Sequence, residues 1–367
     1  MVLNAYIAYA RIRHVGGQLI FLILFVKILT NEADISADEF LVTIYFTGFF
    51  MPATMQRPTG QSRKESASTS VLGGKHMKVA IIGAGTMGSG IAQAFAMCDE
   101  VETVYLCDIK EEFAQGGFSK IKKQLDKRVA KGKLDQASED KVLSKVKTGL
   151  NTIATDPDLV VEAALENMKI KQDCFRDLQD NIVKNPDCIF ASNTSSLSIT
   201  EIGTGLSKPI IGMHFFNPAP VMKLVEVIKG ANTPDDMVEK VKNIAVALGK
   251  SPVQVNEAAG FVVNRILVPM INEAICVYAA GTSDIAGIDT AMKLGCNHPM
   301  GPLELGDYIG LDIILAIMDV IFDETHDNKY AASPLLRKMV RAKHLGVKTG
   351  IGFYDYSNGG KVPVDQK

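Results

Sequence analysis

The sequence of 367 residues lacks several features that define common functional classes. No two of its six cysteines form a C-x-x-C pair, and none of its six histidines belongs to an H-x-x-x-H motif. We therefore predict neither a metal site nor a disulfide framework, and expect buried thiols in a reducing compartment. The net charge is only −2, so the chain lacks the excess of basic residues that is typical of nucleic-acid binding.

The chain also lacks the run of about 20 apolar residues that a membrane span requires. Residues 19–26 form an unbroken apolar octet, but Lys27 ends it. Residues 56–76 are rich in Ser, Gly and charged residues, which predicts a disordered linker. Three interpretations of residues 1–76 remain open: a signal peptide, an organellar leader, or a stretch of unknown role joined to a domain that starts at Met77.

From Met77 onward the chain reads as a regular folded protein. Strands are predicted at residues 78–82, 101–107, 159–164, 188–192, 209–215 and 223–228, and helices follow several of them, notably at 86–97 and 111–147. This alternation indicates an α/β domain at 77–258, with a mostly parallel sheet between two layers of helices. Further along, the pattern predicts only helices, at 261–278, 283–294, 303–324 and 334–343. We therefore expect a Rossmann-type domain followed by an all-helical C-terminal domain at 259–367.

A glycine-rich turn joins the first of these strands to the first helix. Residues 83–88 read G-x-G-x-x-G, in which the glycines permit a tight turn, admit a pyrophosphate and let the helix pack closely on the strand. Asp108 ends the second strand, where a carboxylate accepts hydrogen bonds from a ribose 2′-hydroxyl and repels a 2′-phosphate. NAD is therefore the predicted cofactor, and the candidate residues that bind it here are Gly83, Gly85, Thr86, Met87, Gly88 and Asp108.

Several longer motifs are more specific than the glycine turn. They comprise residues 191–196 (ASNTSS), 214–228 (HFFNPAPVMKLVEVI), 261–265 (FVVNR), 298–307 (HPMGPLELGD) and 350–356 (GIGFYDY). With these motifs the chain closely resembles the short-chain 3-hydroxyacyl-CoA dehydrogenases over residues 77–356. The resemblance implies an NAD-dependent oxidoreductase of fatty acid or butanoate metabolism that interconverts acetoacetyl-CoA and 3-hydroxybutyryl-CoA.

Oxidation of a secondary alcohol needs a base for the hydroxyl proton, and histidine suits this role because its ordinary pKa is close to neutral. His214 ends one predicted strand and Glu226 lies in the next. A hairpin centred on Pro220 would place these two residues opposite each other, since each is six positions away. The carboxylate could then orient the imidazole and stabilise its protonated form. We therefore predict a catalytic His214–Glu226 pair.

The resemblance assigns roles to further residues. Ser195 and Asn264 are expected to act in catalysis and to hold the substrate near His214, and Asn217 is expected beside the nicotinamide. By the same resemblance, residues that line the cofactor are Glu166, Lys171 and Lys348. The basic stretch 118–133 is typical of a solvated helix face, but the resemblance places its Lys127 and Lys131 near the phosphates of coenzyme A.

The resemblance also implies a homodimer that pairs through the helical domain, although the apolar stripe from Ile266 to Ile275 could equally belong to the core. We expect a cytoplasmic protein without membrane or nucleic-acid partners, or a mitochondrial matrix protein if residues 1–76 are a leader. Two alternatives for the function remain: a dehydrogenase of small free hydroxy acids, and a non-catalytic NAD-binding protein.

Overall fold

The computed structural model of the protein describes residues 5–15, 18–27, 43–46, 76–357 and 359–366. Contacts divide the chain into two units, 1–68 and 69–367. In the first unit, the described residues form an antiparallel sheet in the order β1-β2-β3, with strands β1 (Ala5–Val15), β2 (Gln18–Lys27) and β3 (Thr43–Phe46). The linker predicted at 56–76 lies outside the described residues, apart from His76.

The second unit begins with an eight-stranded sheet in the order β11-β10-β9-β8-β7-β4-β5-β6. Neighbouring strands are parallel except β9 and β10, which form an antiparallel pair. The strands are β4 (Met77–Ile82), β5 (Val101–Asp108), β6 (Val146–Leu150), β7 (Leu159–Glu162), β8 (Ile189–Ser192), β9 (Ile210–Phe215), β10 (Leu224–Lys229) and β11 (Ser251–Asn256). The predicted mostly parallel sheet is confirmed.

Apolar residues cover both faces of this sheet. Within β4, Val79 and Ile81 pack into one buried core while Ala80 and Ile82 pack into another, because successive side chains of a strand point to opposite faces. Helices supply the other side of each core. They are α1 (Thr86–Ala96), α2 (Glu111–Ala130), α3 (Gln136–Ser144), α4 (Met168–Asp177), α5 (Ile199–Ile202) and α6 (Asp235–Ala247).

Residues after 260 form a helical region with its own apolar core. Its helices are α7 (Val263–Ala279), α8 (Ile285–Gly295), α9 (Pro302–Ile309), α10 (Leu311–Thr325) and α11 (Pro334–Arg341), followed by the two-residue strands β12 (Tyr354–Asp355) and β13 (Val362–Pro363). The single helix predicted at 303–324 is wrong, because Gly310 has a φ of 106° and separates α9 from α10. None of the helices in the described ranges is long and apolar enough to cross a membrane.

Two strands of the sheet are missing from the sequence prediction. They are β6 and β11, which lie at the two edges of the sheet. β11 is largely exposed and contains Pro252, and β6 alternates between buried and exposed residues, so neither shows the continuous apolar run of a central strand. The region 111–147 was predicted as helical up to the first residues of β6, whereas the structure ends α3 at Ser144.

The cysteines agree only in part with the expectation of buried thiols. All six are free, but Cys296 is exposed and Cys174 and Cys276 are half-buried. Burial raises the pKa of the thiols of Cys107 and Cys188 to about 12, so both are protonated at neutral pH.

Candidate active site

The turn between β4 and α1 leaves space for a dinucleotide. Gly83 has a φ of 101°, which favours glycine, and a Cβ on Gly88 would lie 1.7 Å from the Gly83 carbonyl oxygen. A Cβ on Gly85, in contrast, would meet nothing within 4 Å. The turn is therefore closed where helix and strand pack together and open where a pyrophosphate approaches the backbone at the start of α1. These residues fit NAD.

Asp108 lies beside the same turn, at the end of β5. Its carboxylate accepts hydrogen bonds from the backbone N–H of Ala84 at 2.7 Å and of Ile109 at 2.8 Å. Of the other two residues predicted in this segment, Thr86 is exposed at the start of α1 and Met87 packs partly against the core. The structure thus brings the predicted cofactor residues of this segment together.

The two glycines allow a matched test of this geometry. We expect Gly85→Ala to leave the melting temperature unchanged and to weaken NADH binding at least about 10-fold, because its methyl group points into the open space. Gly88→Ala should instead lower the melting temperature by several degrees, because its methyl group meets backbone. Differential scanning fluorimetry measures the melting temperature of each variant, and fluorescence titration measures its NADH affinity. A Gly85→Ala protein with normal NADH affinity would contradict this account of the turn.

The predicted hairpin places a histidine opposite a glutamate. In the antiparallel pair β9–β10, His214 is the register partner of Glu226, as the spacing around Pro220 predicts. His214 Nδ1 lies 2.8 Å from Glu226 Oε2, and both residues are buried. Because a carboxylate only accepts hydrogen bonds, this contact favours the neutral tautomer with the proton on Nδ1, in which Nε2 is the acceptor.

The second oxygen of Glu226 is also satisfied. Oε1 accepts hydrogen bonds from the backbone N–H groups of Val262, at 3.1 Å, and Val263, at 3.0 Å, where α7 begins. The imidazole on one oxygen and the two N–H groups on the other offset the free-energy cost of removing this carboxylate from water. Sequence reasoning missed these two donors, because backbone N–H groups leave no signal in the side-chain pattern.

Ser195 lies next to Nε2 of the imidazole, and Asn264 contacts Ser195. Ser195 Oγ is 3.2 Å from His214 Nε2, and Asn264 Nδ2 donates a hydrogen bond of 3.0 Å to the Ser195 carbonyl oxygen. The centroid of the Phe216 ring lies 4.6 Å from that of the His214 ring, and the centroid of the Phe261 ring lies 5.7 Å from it. The structure therefore brings the four predicted catalytic residues together and adds two aromatic neighbours that were not predicted.

Glu166 and Lys171 lie next to this group. Glu166 Oε1 accepts a hydrogen bond of 2.8 Å from the Ser195 N–H. Burial alone would raise the pKa of Glu166, but the charge of Lys171 and hydrogen bonds from Thr194 and Ser195 outweigh it and lower this pKa below its usual value. The Lys171 side chain is only 1% exposed and pairs with carboxylates, so its contact with the cofactor stays a prediction.

The remaining predicted residues lie at the surface. Asn217 is exposed just after β9, and Lys127 and Lys131 are exposed at the end of α2. The ammonium group of Lys348 pairs with Asp312 in α10, and no contact among the described residues links Lys348 to His214, Glu226, Ser195 or Asn264. In the part of the chain that the structure describes, no cluster of three or more His, Cys, Asp or Glu residues could hold a metal ion.

The fold and the site together define an NAD-dependent oxidoreductase, and comparison with known proteins agrees. Residues 78–258 match the model of the NAD binding domain of 3-hydroxyacyl-CoA dehydrogenase, and residues 260–356 match that of its C-terminal domain. The chain therefore belongs to the 3-hydroxyacyl-CoA dehydrogenase family, which confirms the resemblance seen in the sequence, and its cofactor is NAD.

Individual relatives are similar over nearly their whole length. A 3-hydroxybutyryl-CoA dehydrogenase of Clostridioides difficile is 52% identical over 288 residues, which are 77% of this chain and 100% of that protein. The mitochondrial hydroxyacyl-coenzyme A dehydrogenase of Homo sapiens is 41% identical over 84% of this chain and 99% of its own. The crystal structure of (S)-3-hydroxybutyryl-CoA dehydrogenase from Ralstonia eutropha has a TM-score of 0.73 and 46% identity, and covers 77% of this chain and all of its own.

Proposed function

We propose that the protein is an (S)-3-hydroxybutyryl-CoA dehydrogenase that interconverts acetoacetyl-CoA and 3-hydroxybutyryl-CoA in fatty acid or butanoate metabolism. The observation that carries the proposal is the buried His214 imidazole, which is paired with Glu226 through Nδ1 and faces Ser195 through Nε2. This arrangement suits a general base that is oriented by a carboxylate. The names of the similar proteins support the choice of substrate.

The chain's own residues handle the proton and the substrate. When bound, NAD supplies the acceptor for the hydride of the alcohol carbon. His214 Nε2 takes the hydroxyl proton, and Glu226 stabilises the imidazolium that forms. In the reducing direction the protonated imidazole returns this proton to the C3 oxygen. Ser195 and Asn264, which are already hydrogen-bonded to each other, hold the C3 oxygen and the thioester region next to Nε2.

The basic end of α2 supports a CoA ester as the substrate. Neither Lys127 nor Lys131 forms an ion pair with another described residue, so both ammonium groups are available to phosphates. We assign them to the phosphates of coenzyme A, and we assign Asn217, Glu166 and Lys348 to the surroundings of the cofactor. A free hydroxy acid would make no use of the two lysines.

The proposed substrate is tested by following NADH oxidation at 340 nm. We expect rapid turnover with acetoacetyl-CoA and little with acetoacetate, and the series of longer 3-ketoacyl-CoAs reports the preferred chain length. Equal turnover with acetoacetate would support a dehydrogenase of free acids. No turnover with any of these substrates, in a protein that binds NADH, would support a non-catalytic role.

The helical region supports a homodimer. Ile266 in α7 is 68% exposed and Tyr308 in α9 is 65% exposed, although Ile271 and Ile275 of the same apolar stripe are core residues. We propose that these exposed side chains pair with a second copy, which sedimentation velocity would report as twice the monomer mass. A cytoplasmic location, or the mitochondrial matrix if residues 1–76 are a leader, is likewise proposed.

The choice between NAD and NADP depends on Asp108. We expect Asp108→Ala to weaken NADH binding about 10–100-fold, since a hydrogen bond to a charged group contributes about 1.5–3 kcal/mol, and to relax discrimination against NADPH. The control, Asp108→Asn, keeps the side-chain size and an acceptor oxygen for the Ala84 N–H, but it removes the charge and replaces the oxygen that accepts from the Ile109 N–H with a donor. Fluorescence titration gives both dissociation constants. Unchanged constants for NADH and NADPH would remove Asp108 from the cofactor site.

A further inference from the structure

A buried lysine that the proposed reaction does not use contacts the β9–β10 turn, residues 216–223. Lys250 lies just before β11 and is only 8% exposed. Its Nζ donates hydrogen bonds of 2.6 Å to the Ala219 carbonyl oxygen and of 2.9 Å to the Met222 carbonyl oxygen. Burial lowers the pKa of Lys250 below its usual value, with a smaller contribution from the charge of Lys223. The buried ammonium group therefore directs these hydrogen bonds to the backbone of the turn.

Internal and external hydrogen bonds together fix the shape of the β9–β10 turn. Inside it, the N–H groups of Val221 and Met222 both donate to the Pro218 carbonyl oxygen, at 2.9 and 3.0 Å. From outside it, Lys250 joins the carbonyl groups of Ala219 and Met222 through a single nitrogen atom. A buried carbonyl group without a donor is costly, so loss of the Lys250 ammonium group would favour a different shape of the turn.

The β9–β10 turn links helix α1 to the catalytic hairpin. A Cβ on Gly90 of α1 would lie 3.4 Å from both Ala219 Cβ and Pro220 Cδ, so the turn packs on the helix that begins at the glycine-rich turn. At the start of the β9–β10 turn, the centroid of the Phe216 ring lies 4.6 Å from that of the His214 ring. Displacement of a positioning group by about 1 Å can lower a catalytic rate about 100-fold. A change in this turn can therefore alter the position of the base.

We propose that Lys250 is a positioning residue, whose ammonium group holds the β9–β10 turn on α1 so that Phe216 and the end of β9 keep His214 in place. The proposal rests on the proposed function, since it gives Lys250 a part in the His214-dependent step without contact to substrate or cofactor. It predicts two effects of removing the ammonium group from a folded protein. Turnover falls at saturating substrate and NADH, and the turn loses protection against hydrogen exchange.

The main test compares Lys250→Met with Lys240→Met. Methionine keeps an unbranched side chain and removes the donor, and Lys240 is a matched control because it forms an exposed pair with Asp236 on α6. We expect Lys250→Met to lower kcat with acetoacetyl-CoA about 10–100-fold, while KM for acetoacetyl-CoA changes less than about 3-fold. The control should have wild-type values of both. A folded Lys250→Met enzyme with the wild-type kcat would overturn the proposal.

Hydrogen exchange followed by mass spectrometry tests the turn itself, without turnover. In Lys250→Met, peptides that cover residues 216–223 should exchange at least about 10-fold faster, because the N–H groups of Val221 and Met222 lose the frame that Lys250 supports. Peptides from β7 and β8 should exchange as in the wild type. A lowered kcat with unchanged exchange in residues 216–223 would overturn the proposal, since Lys250 would then act by another route.

A double-mutant cycle with Phe216→Leu tests the link to the histidine. If Lys250 acts through the start of the turn, Lys250→Met should lower kcat much less in the Phe216→Leu background than in the wild type. Equal losses in both backgrounds would overturn the proposal.

Lys250→Gln serves if Lys250→Met does not fold. Its amide keeps N–H donors, but the side chain is shorter by one bond, so the carbonyl groups of Ala219 and Met222 lose their donor or the turn shifts toward it. Either result displaces the turn, and kcat should again fall about 10-fold or more. A folded Lys250→Gln protein with the wild-type kcat would contradict the inference.

The outcomes separate this inference from the proposed function. Wild-type and Lys240→Met proteins that fail to reduce acetoacetyl-CoA would overturn the proposed function alone. The variants are then compared on the 3-ketoacyl substrate that the wild type does turn over, and the exchange measurement needs no substrate. A Lys250→Met enzyme that is as active as the wild type on acetoacetyl-CoA would overturn the positioning role alone.

Discussion

A His214→Gln enzyme should keep its fold and its NADH affinity and lose about 10²–10⁴-fold in turnover number, the usual contribution of general acid–base catalysis. Glutamine has an amide where the imidazole has Nε2, and it can neither take a proton from the substrate hydroxyl nor return one. The glycine turn and Asp108, which we assign to the cofactor, are not contacted by this side chain in the described structure. The loss should therefore appear in kcat rather than in cofactor binding.

Stopped-flow or steady-state measurement of NADH oxidation with saturating acetoacetyl-CoA gives the turnover number, and fluorescence titration gives NADH affinity. His326→Asn is the matched control, because His326 is exposed at the end of α10 in a left-handed conformation that Asn tolerates. We expect it to have wild-type kcat. A His214→Gln enzyme with nearly normal turnover would rule out the proposed mechanism.

The pairing of His214 with Glu226 is the part of the site that the sequence predicted best. Two residues that are equally far from the centre of a hairpin are register partners. Register partners point to the same face of the sheet, so the spacing around Pro220 predicts both the pairing and the shared face. The structure has this register. Similarly, the G-x-G-x-x-G spacing predicted a closed contact at Gly88 and an open one at Gly85, because each follows from the presence or absence of a Cβ.

What the sequence could not predict depends on contacts that side-chain patterns do not encode. The N–H groups of Val262 and Val263 reach Glu226 only because α7 begins next to β10 in the folded chain. The charge of Lys171 is typical of an exposed helix position, and its burial follows from the position of Glu162, nine residues earlier on a different element. The edge strands β6 and β11 were missed because they lack the continuous apolar run of a central strand, and the break at Gly310 was missed because a single glycine within an apolar helical pattern does not by itself mark the end of a helix.

Glu226→Gln should lower the turnover number about 10²–10³-fold and also destabilise the protein, although the side chain keeps its size. A carboxylate accepts with both oxygens, here from the imidazole on one side and from Val262 and Val263 on the other. An amide has one acceptor and one donor, so one of these partners must face an N–H group. If the NH₂ group faces Nδ1, it favours the tautomer with a proton on Nε2, which cannot accept the substrate's proton. If it faces α7 instead, two backbone donors lose their acceptor.

The decisive measurement is the double variant His214→Gln/Glu226→Gln. If the carboxylate acts through the imidazole, the double variant should have nearly the turnover number of His214→Gln, because no imidazolium remains to be oriented or stabilised. The destabilisation should persist in the double variant, since it arises partly from the N–H groups at the start of α7, and urea unfolding measures it separately from kcat. Losses in turnover that multiply would instead show that Glu226 acts independently of His214. Glu226 would then be a structural acid that joins β10 to α7, and His214 would work without an orienting partner.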